Sequence, residues 1–559
     1  MDLVLAPAGE VVEAVEVADG QAVPTTRARI PRAELAAWVS ARPASTRWVW
    51  ADSSVVYPEL LRAGVRVRTA VDLRLVHALL RRAAAVRGSE LASAPPSAWD
   101  EADPGAGGPL PDRGAALFEL ATSSHLDLDA CVTEHLAQRR CLEQAGDGGR
   151  LAFLCHAESV GGLVAAELNH VGVPFAADVH DRLLTELLGE QDRYGGRPSA
   201  LAAACEEVRA SLGAPSLNPD SQVDLVAALR NAGLPVTSTR KHELRALDHP
   251  VVEPLLRYKQ LSRLHAANGW AWLHTWVRDG RFRPDWVPGA VVTGRWASRG
   301  GGALQLPRQI RAAVRADPGW RLVVADAAQL EPRVLAGMSG DRRMAAASTG
   351  GDLYSALVDQ GVVPTRQHAK VAMLGAMYGA TTGEAGALMP RLQRAYPRAI
   401  GLVEAAARAG ERGEQVQTWL GRTSPPPAGW WREAQSAAQQ PGSGAAAERR
   451  ARQAARDWGR FTRNFVVQGT AAEWALCWMG HLRRTLAEDP ALATSAGRPE
   501  LVYFLHDEVI VHAPAEVAEL AAEAIRDAAR AAGRLLFGDF PVEFPLSAAV
   551  VDSYDEARD

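Results

Sequence analysis

Residues 322–332 read LVVADAAQLEP, and residues 501–513 read LVYFLHDEVIVHA. Both runs are short, rich in β-branched and aromatic residues, and bounded by turn or charged residues. Residues 321–325 and 501–512 therefore predict strands in a chain that otherwise repeats apolar residues at helical spacing. Each strand delivers acid to its end. The first stops at Asp326, and the second is split by His506-Asp507-Glu508, which predicts a hairpin with acids at its turn. Such turns normally use Gly, Asn or Asp-Gly, so His-Asp-Glu is an odd choice for a structural turn. If the two runs share a sheet, Asp326 and Asp507 converge although about 180 residues separate them.

Converging carboxylates suit a pair of Mg²⁺ ions a few ångströms apart, which serve in-line phosphoryl displacement. On the carboxylates alone, two unrelated solvated acids remain the simpler reading.

At 559 residues the chain is too long for one core and predicts two or more domains. Net charge is −4, which excludes a polycation. Segment 295–321 nevertheless carries Arg295, Arg299, Arg308, Arg311, Arg315 and Arg321 against Asp317 alone. That strip fits phosphates or a solvated face equally well. The five cysteines include no C-x-x-C pair, which argues against zinc ribbons and disulfide frameworks and predicts packed thiols. No apolar stretch is expected to span a bilayer, and the N-terminus lacks the basic start and apolar core of a signal peptide. A cytoplasmic protein with no membrane contact is expected.

Lys+Arg is 61, yet Lys241, Lys259 and Lys370 are the only lysines. A lysine kept in an arginine-rich chain has one property that arginine lacks, a proton it can lose.

Residues 1–85 predict a small α/β unit, and 88–113, rich in Pro, Gly, Ser and acid, a flexible loop. From 114 to 280 the period is helical. Helices are also predicted at 365–379 and 445–482, with an interruption at 424–444. In TRQHAKVAMLGAMYGAT, Arg366, Lys370, Leu374 and Tyr378 lie four apart and share a broad helix face. Cations beside flat and apolar groups suit a nucleoside triphosphate, and Lys370 could give a proton to departing pyrophosphate. Arg460, Asn464 and Gln468 repeat the spacing. Amide side chains there suit minor-groove acceptors, which are nearly the same for every base pair. Ordinary surface polarity explains either face as well.

In this order the four sites resemble the family A DNA polymerases, the bacterial DNA polymerase I group. Asp326-Ala-Ala-Gln-Leu-Glu-Pro-Arg333 is similar to the family's D-Y-S-Q-I-E-L-R, Arg366–Gly379 to its R-x-x-x-K-x-x-x-[FY]-G-x-x-Y-G, and His506-Asp507-Glu508 to its H-D-E. Gln468–Ala472 is similar to Q-G-T-A-A, TGRWAS (293–298) to T-G-R-x-S-S, and ALQLP (303–307) to a shortened N-L-Q-N-I-P. LNPDSQVDLVAALRNAGLP (217–235) resembles the thumb segment. The match runs from about 150 to the C-terminus. Within the family the chain looks like the actinobacterial-type polymerase–exonuclease paralogues with a degenerate exonuclease domain.

The resemblance implies an α/β (α+β) fold, a right hand of palm, fingers and thumb behind a small RNase H-like exonuclease-type domain. The expected division is 1–145 for the exonuclease-like domain and 150–559 for the polymerase. Within the latter, the thumb is about 150–290, the palm about 291–345 and 455–559, and the fingers about 346–454. Implied partners are primer–template DNA and deoxynucleoside triphosphates, with two Mg²⁺ ions (Mn²⁺ substituting) as cofactor. A monomer located at the nucleoid is expected.

By position, the resemblance gives Asp326, Asp507 and the Ala327 main chain to the metals, with Glu508 beside them. Arg366 and Lys370 grip the triphosphate, Gln329, Leu374 and Tyr378 line the nucleotide, and Glu331 excludes a ribose 2′-hydroxyl. Arg295, Arg460, Asn464, Gln468 and His506 contact primer and template.

Four departures stand beside the chemistry. Leu374 replaces the family aromatic, Ala327-Ala328 replaces Tyr-Ser, and Pro332 replaces a leucine. A weaker or less sugar-selective polymerase is expected, with a primer–template binding protein as the alternative. No D-x-E occurs in residues 1–60. Asp52 and Asp129 are the expected exonuclease remnant, with His125 where the third exonuclease motif has tyrosine. A bifunctional polymerase–exonuclease is the remaining alternative. No room is left for a five-prime nuclease domain.

Overall fold

The computed structural model describes residues 1–100, 126–146, 148–192, 194–299, 302, 306–349, 351–379 and 383–557. The N-terminal body is built on strands β1 (Asp2–Ala8), β2 (Val11–Ala18), β3 (Gln21–Ala22), β4 (Ala28–Pro31), β5 (Arg47–Trp50) and β6 (Ala70–Asp72). Their order is β3-β2-β1-β5-β6, with β4 on β2. β1 pairs antiparallel with β2 and parallel with β5, and β5 is parallel to β6. Trp48, Val49 and Trp50 are all buried, as a parallel strand covered on both faces requires. This is the α/β unit expected over 1–85.

Of the expected loop 88–113, residues 101–113 lie outside the described residues, as do His125 and positions 303–305 of ALQLP. The described part is ordered. Ser89 caps a helical turn at Glu90–Ser93, and Leu91 and Trp99 are buried.

Helix α1 (Arg150–Val171) joins the two bodies. Its Leu163 and Ala166 pack in the N-terminal core, whereas Val164, Ala165 and Leu168 belong to the large C-terminal core. Contrary to expectation, this 22-residue helix is long and apolar enough to cross a membrane. Its apolar window is 78% buried inside the protein, which accounts for that composition.

The C-terminal body centres on an antiparallel sheet of β7 (Trp320–Ala327), β8 (Glu500–Leu505), β9 (Glu508–Pro514) and β10 (Leu546–Val551), ordered β8-β9-β7-β10. The two acid-bearing runs are therefore neighbours. Val323 faces Val511, and Asp326 faces Glu508 on one side and Ser547 on the other.

Behind and above the sheet run α2 (Leu330–Ser339), α3 (Arg366–Tyr378), α4 (Ala445–Glu488) and α5 (Ala518–Phe537). The segment 424–444 is not wholly an interruption: Gly429–Gln439 is helical. Trp431 holds it by packing onto Gly413, where a Cβ would lie 2.6 Å from the ring. All five cysteines are buried and free.

Buried ion pairs weld the bodies together. Arg483 of α4 donates to Glu167 of α1 at 2.8 and 2.9 Å, to the Tyr57 hydroxyl at 3.2 Å and to the Val67 carbonyl at 2.5 Å. Arg422 pairs with the fully buried Glu158.

Candidate active site

The β8–β9 turn is compact because His506 takes a left-handed backbone (φ 54°). At the end of β7 the chain turns into α2 through Gln329, also left-handed (φ 50°). Among the described residues only Asp19 and Asp279 share this conformation without being glycine, and both precede glycine in turns. A left-handed non-glycine costs roughly 1–2 kcal/mol. Two such residues therefore flank Asp326 at a local cost that favours geometry over stability.

The Ala327 N–H donates to the Asp507 carbonyl at 2.8 Å and fastens the two acid-bearing segments together. Burial, and next the charge of Asp326, pushes the Asp507 carboxyl up to about 7; Arg295 opposes this. Asp326 is open to solvent, but the surrounding protein still raises it. Burial also raises Glu508, while Tyr554 and Arg311 pull it back. His506 is held down to about 4 by burial and by Arg295, so it is neutral near pH 7.

Among the described residues no three His, Cys, Asp or Glu side chains are arranged to hold a metal ion. What converges is two carboxylates, hard oxygen donors that leave coordination positions for water and phosphate. The crowding that lifts Asp507 is the electrostatic condition a divalent cation relieves, so the residues present fit one.

Beside the acids lies a cleft of about 330 Å³, lined by Arg295, Trp296, Gln329, Glu331, Tyr354, Leu374, Tyr378, His506 and Asp507, among others. A polar chain crosses it. Arg295 pairs with Glu331, Tyr378 donates to Glu331 at 2.8 Å, and Gln468 donates to the Tyr378 hydroxyl at 3.2 Å. The helix spacing thus puts Leu374 and Tyr378 in the cleft wall.

The rest of that face sits farther out. Lys370 is exposed and has no ion-pair partner among the described residues. Arg366 donates to Asp352 at 2.6 Å, so a phosphate must compete with that carboxylate. Arg460 pairs with Asp457 and lies against Gly379, where φ is +74° and a Cβ would come 2.6 Å from the arginine Cγ. Only glycine satisfies both conditions there. The buried Asn464 Nδ2 has no hydrogen-bond partner.

Two contributors escaped sequence reasoning. Arg333 is fully buried. It donates to the carbonyls of Ala328 (2.8 Å) and Glu543 (3.1 Å), to those of Ser348 and Gly351, and to Gln329 Oε1 (3.3 Å). Among the described residues no carboxylate pairs with it, and burial pushes its guanidinium down to about 10. Asp352 is the second. It caps the helix Leu353–Asp359 and accepts from Gln329 and Arg366. An arginine inside the apolar helix run LEPRVLAGM was the available signal for the first. The second carried only a capping aspartate after two glycines.

The exonuclease candidates Asp52 and Asp129 are each held by a different arginine. Asp52 caps the helix Ser53–Arg62 and pairs with Arg74. Asp129 is exposed and pairs with Arg27 at 3.3 Å. Beside the end of β5, β1 presents Ala6-Pro7-Ala8 and no carboxylate. Buried Asp72 next to Asp52 is pushed up to about 7, chiefly by burial.

A second groove, of about 1100 Å³, lies between helix Val252–Asn268 and residues 306–311. Lys241, Arg245, Arg257, Lys259, Arg308 and Arg311 line it, with Glu253 as its one acid among the described residues, so two of the three lysines are here. Of the other arginines of the strip, Arg295 is committed to Glu331 and Arg321 to Asp552.

A palm-like antiparallel sheet carrying paired acids, faced by a basic groove, defines a polymerase fold. The chain belongs to DNA polymerase family A, whose family model matches residues 199–555. It is 29% identical over 368 residues to DNA polymerase I of Chloroflexus aurantiacus, covering 61% of this chain and 36% of that protein. It is 26% identical over 438 residues to the thermostable DNA polymerase I of Thermus aquaticus, covering 71% of this chain and 46% of the other. The chain thus spans between about a third and a half of these relatives. The fold is similar to the POL domain of Pol1 from M. smegmatis, solved in complex with DNA primer-template and dNTP. The TM-score is 0.67 at 19% identity, over 99% of this chain and 95% of that one.

Proposed function

We propose that this chain is a template-directed DNA polymerase that adds deoxynucleotides to a primer 3′ end, in repair or accessory replication. The observation that carries the reading is the convergence of Asp326 and Asp507 at the mouth of a cleft walled by Leu374, Tyr378 and Glu331.

In this reading Asp326, Asp507 and the Ala327 carbonyl hold two Mg²⁺ ions, for which Mn²⁺ can substitute. Bound, the ions supply charge neutralisation and a more acidic 3′-hydroxyl. The chain's own groups do the rest. Lys370 meets the triphosphate and gives a proton to departing pyrophosphate, and Arg366 releases Asp352 to join it. Tyr378 and Leu374 pack on sugar and base. Glu331, fixed between Arg295 and Tyr378, closes the space a 2′-hydroxyl would need. Gln329 orders the cleft rim, and neutral His506 meets the primer terminus. Arg460, Asn464 and Gln468 track the duplex, which the basic groove near Lys241 and Lys259 receives.

The proposed division is an exonuclease-like domain over 1–145 and thumb, palm and fingers over 150–559. The N-terminal domain is read as degenerate because Arg74 occupies the carboxylate of Asp52 and β1, on one side of β5, brings no acid to it, which leaves buried Asp72 of β6 as its acidic neighbour. Five free thiols suit a reducing cytoplasm.

Primer extension and 3′-end degradation, run side by side on one preparation, test both halves. Extension without degradation is expected. Degradation that survives Asp326→Ala but disappears in Asp52→Ala would overturn the degenerate reading. Lys370→Arg should bind nucleotide and slow the chemical step, and unchanged turnover would remove the proton-donor role.

A further inference from the structure

A cleft of about 770 Å³ lies where the N-terminal body, α1, α4 and α5 meet, and it shares no lining residue with the catalytic cleft. Its floor is rigid. Gly480 of α4 crosses α1 so closely that a Cβ would stand 3.1 Å from Val160, and Arg483 is locked by Glu167 and the Val67 carbonyl. Among the described residues no carboxylate lines it. Arg68 and Arg483 are neutralised by Glu488 and Glu167, but Arg484 and Arg534 have no ion-pair partner among the described residues. Burial lowers His481 first, the charges of Arg484 and Arg534 add to it, and Asp527, which is paired with Arg530, opposes them. Apolar surface adjoins them, from Phe153 of α1 and from Leu535, the neighbour of Arg534 on α5, which is 54% exposed.

Two like charges at one rigid cleft repel each other unless an anion sits between them. Guanidinium forks match phosphate oxygens, and the volume lies in the range of small-molecule sites. We propose that this cleft binds a nucleotide, its phosphate on Arg484 and Arg534 and its base on the Phe153–Leu535 wall. The source is either a free nucleoside monophosphate or the 5′-phosphorylated end of a DNA strand.

The full chain is tested in EDTA, which suppresses metal-dependent binding in the catalytic cleft. The probes are a fluorescent deoxyadenosine monophosphate and labelled oligo-dT with and without a 5′-phosphate. Arg484→Ser with Arg534→Ser should weaken phosphorylated probes by about tenfold or more. Thermal stability and primer extension should not change, since both side chains are exposed. Binding of the free monophosphate identifies a small-molecule site, and binding of the phosphorylated oligonucleotide alone identifies a strand end. The proposal is overturned if the free monophosphate does not bind and the oligonucleotide binds equally with and without its phosphate, or if the double variant binds the phosphorylated probes like wild type.

Discussion

Arg333→Met keeps the length and most of the volume of a fully buried side chain while removing every donor. Five acceptors lose a partner: the carbonyls of Ala328, Ser348, Gly351 and Glu543, and Gln329 Oε1. At about 1.5 kcal/mol for each bond to a charged donor, that is roughly 7 kcal/mol. The burial that drops the guanidinium to about 10 already works against wild type by roughly 3 kcal/mol. The difference leaves a net loss of about 4 kcal/mol, concentrated where β7 meets the segment leading to α3. A chain of this size does not unfold in one step. The informative readout is therefore amide exchange at Leu353, whose N–H donates to Gln329 Oε1 at 2.9 Å, together with the melting midpoint. Leu353 should lose protection in Arg333→Met, and Arg333→Lys, with three donors, should fall between. Wild-type protection at Leu353 in Arg333→Met would refute the reasoning.

Burial, then Asp326, lifts Asp507 to about 7 from 3.8. In metal-free protein this contribution to stability is complete below the ordinary carboxylate value and is lost as pH rises through about 7. Mg²⁺ should thus raise the melting midpoint more at about pH 8 than at about pH 5, and equal shifts would contradict the account. Glu331→Ala frees Tyr378 and Arg295, and ribonucleotide incorporation relative to deoxyribonucleotide should rise by about tenfold or more; an unchanged ratio in single-nucleotide assays would remove the sugar gate. Glu167→Gln leaves the buried Arg483 without its counter-charge and should cost about 3–5 kcal/mol. Limited proteolysis should then release the N-terminal body, and resistance equal to wild type would argue against the weld.

The acidic pair was legible because strand pattern and turn chemistry disagree at His506–Glu508: the β runs call for a tight turn, and the residues there are poor turn formers. The wall formed by Leu374 and Tyr378 was legible from spacing of four. The Arg295–Glu331 contact was not, because it depends on the left-handed turn at Gln329, which no local propensity favours. The helix Gly429–Gln439 was hidden by Pro and Gly on both sides, since it is held by Trp431 against Gly413 rather than by propensity. Helix α1 serves two cores, so its long apolar run reads differently alone than when packed.

The central claim is that Asp326 and Asp507 form one phosphoryl-transfer centre that obeys a template. Its most direct test is single-nucleotide incorporation on four primer–templates that differ only in the templating base, with Mg²⁺, for wild type and Asp507→Asn. Wild type should add the complementary nucleotide in each case, and Asp507→Asn should lose about a thousandfold or more of that rate. Incorporation that ignores the template, or that persists in Asp507→Asn, would contradict it.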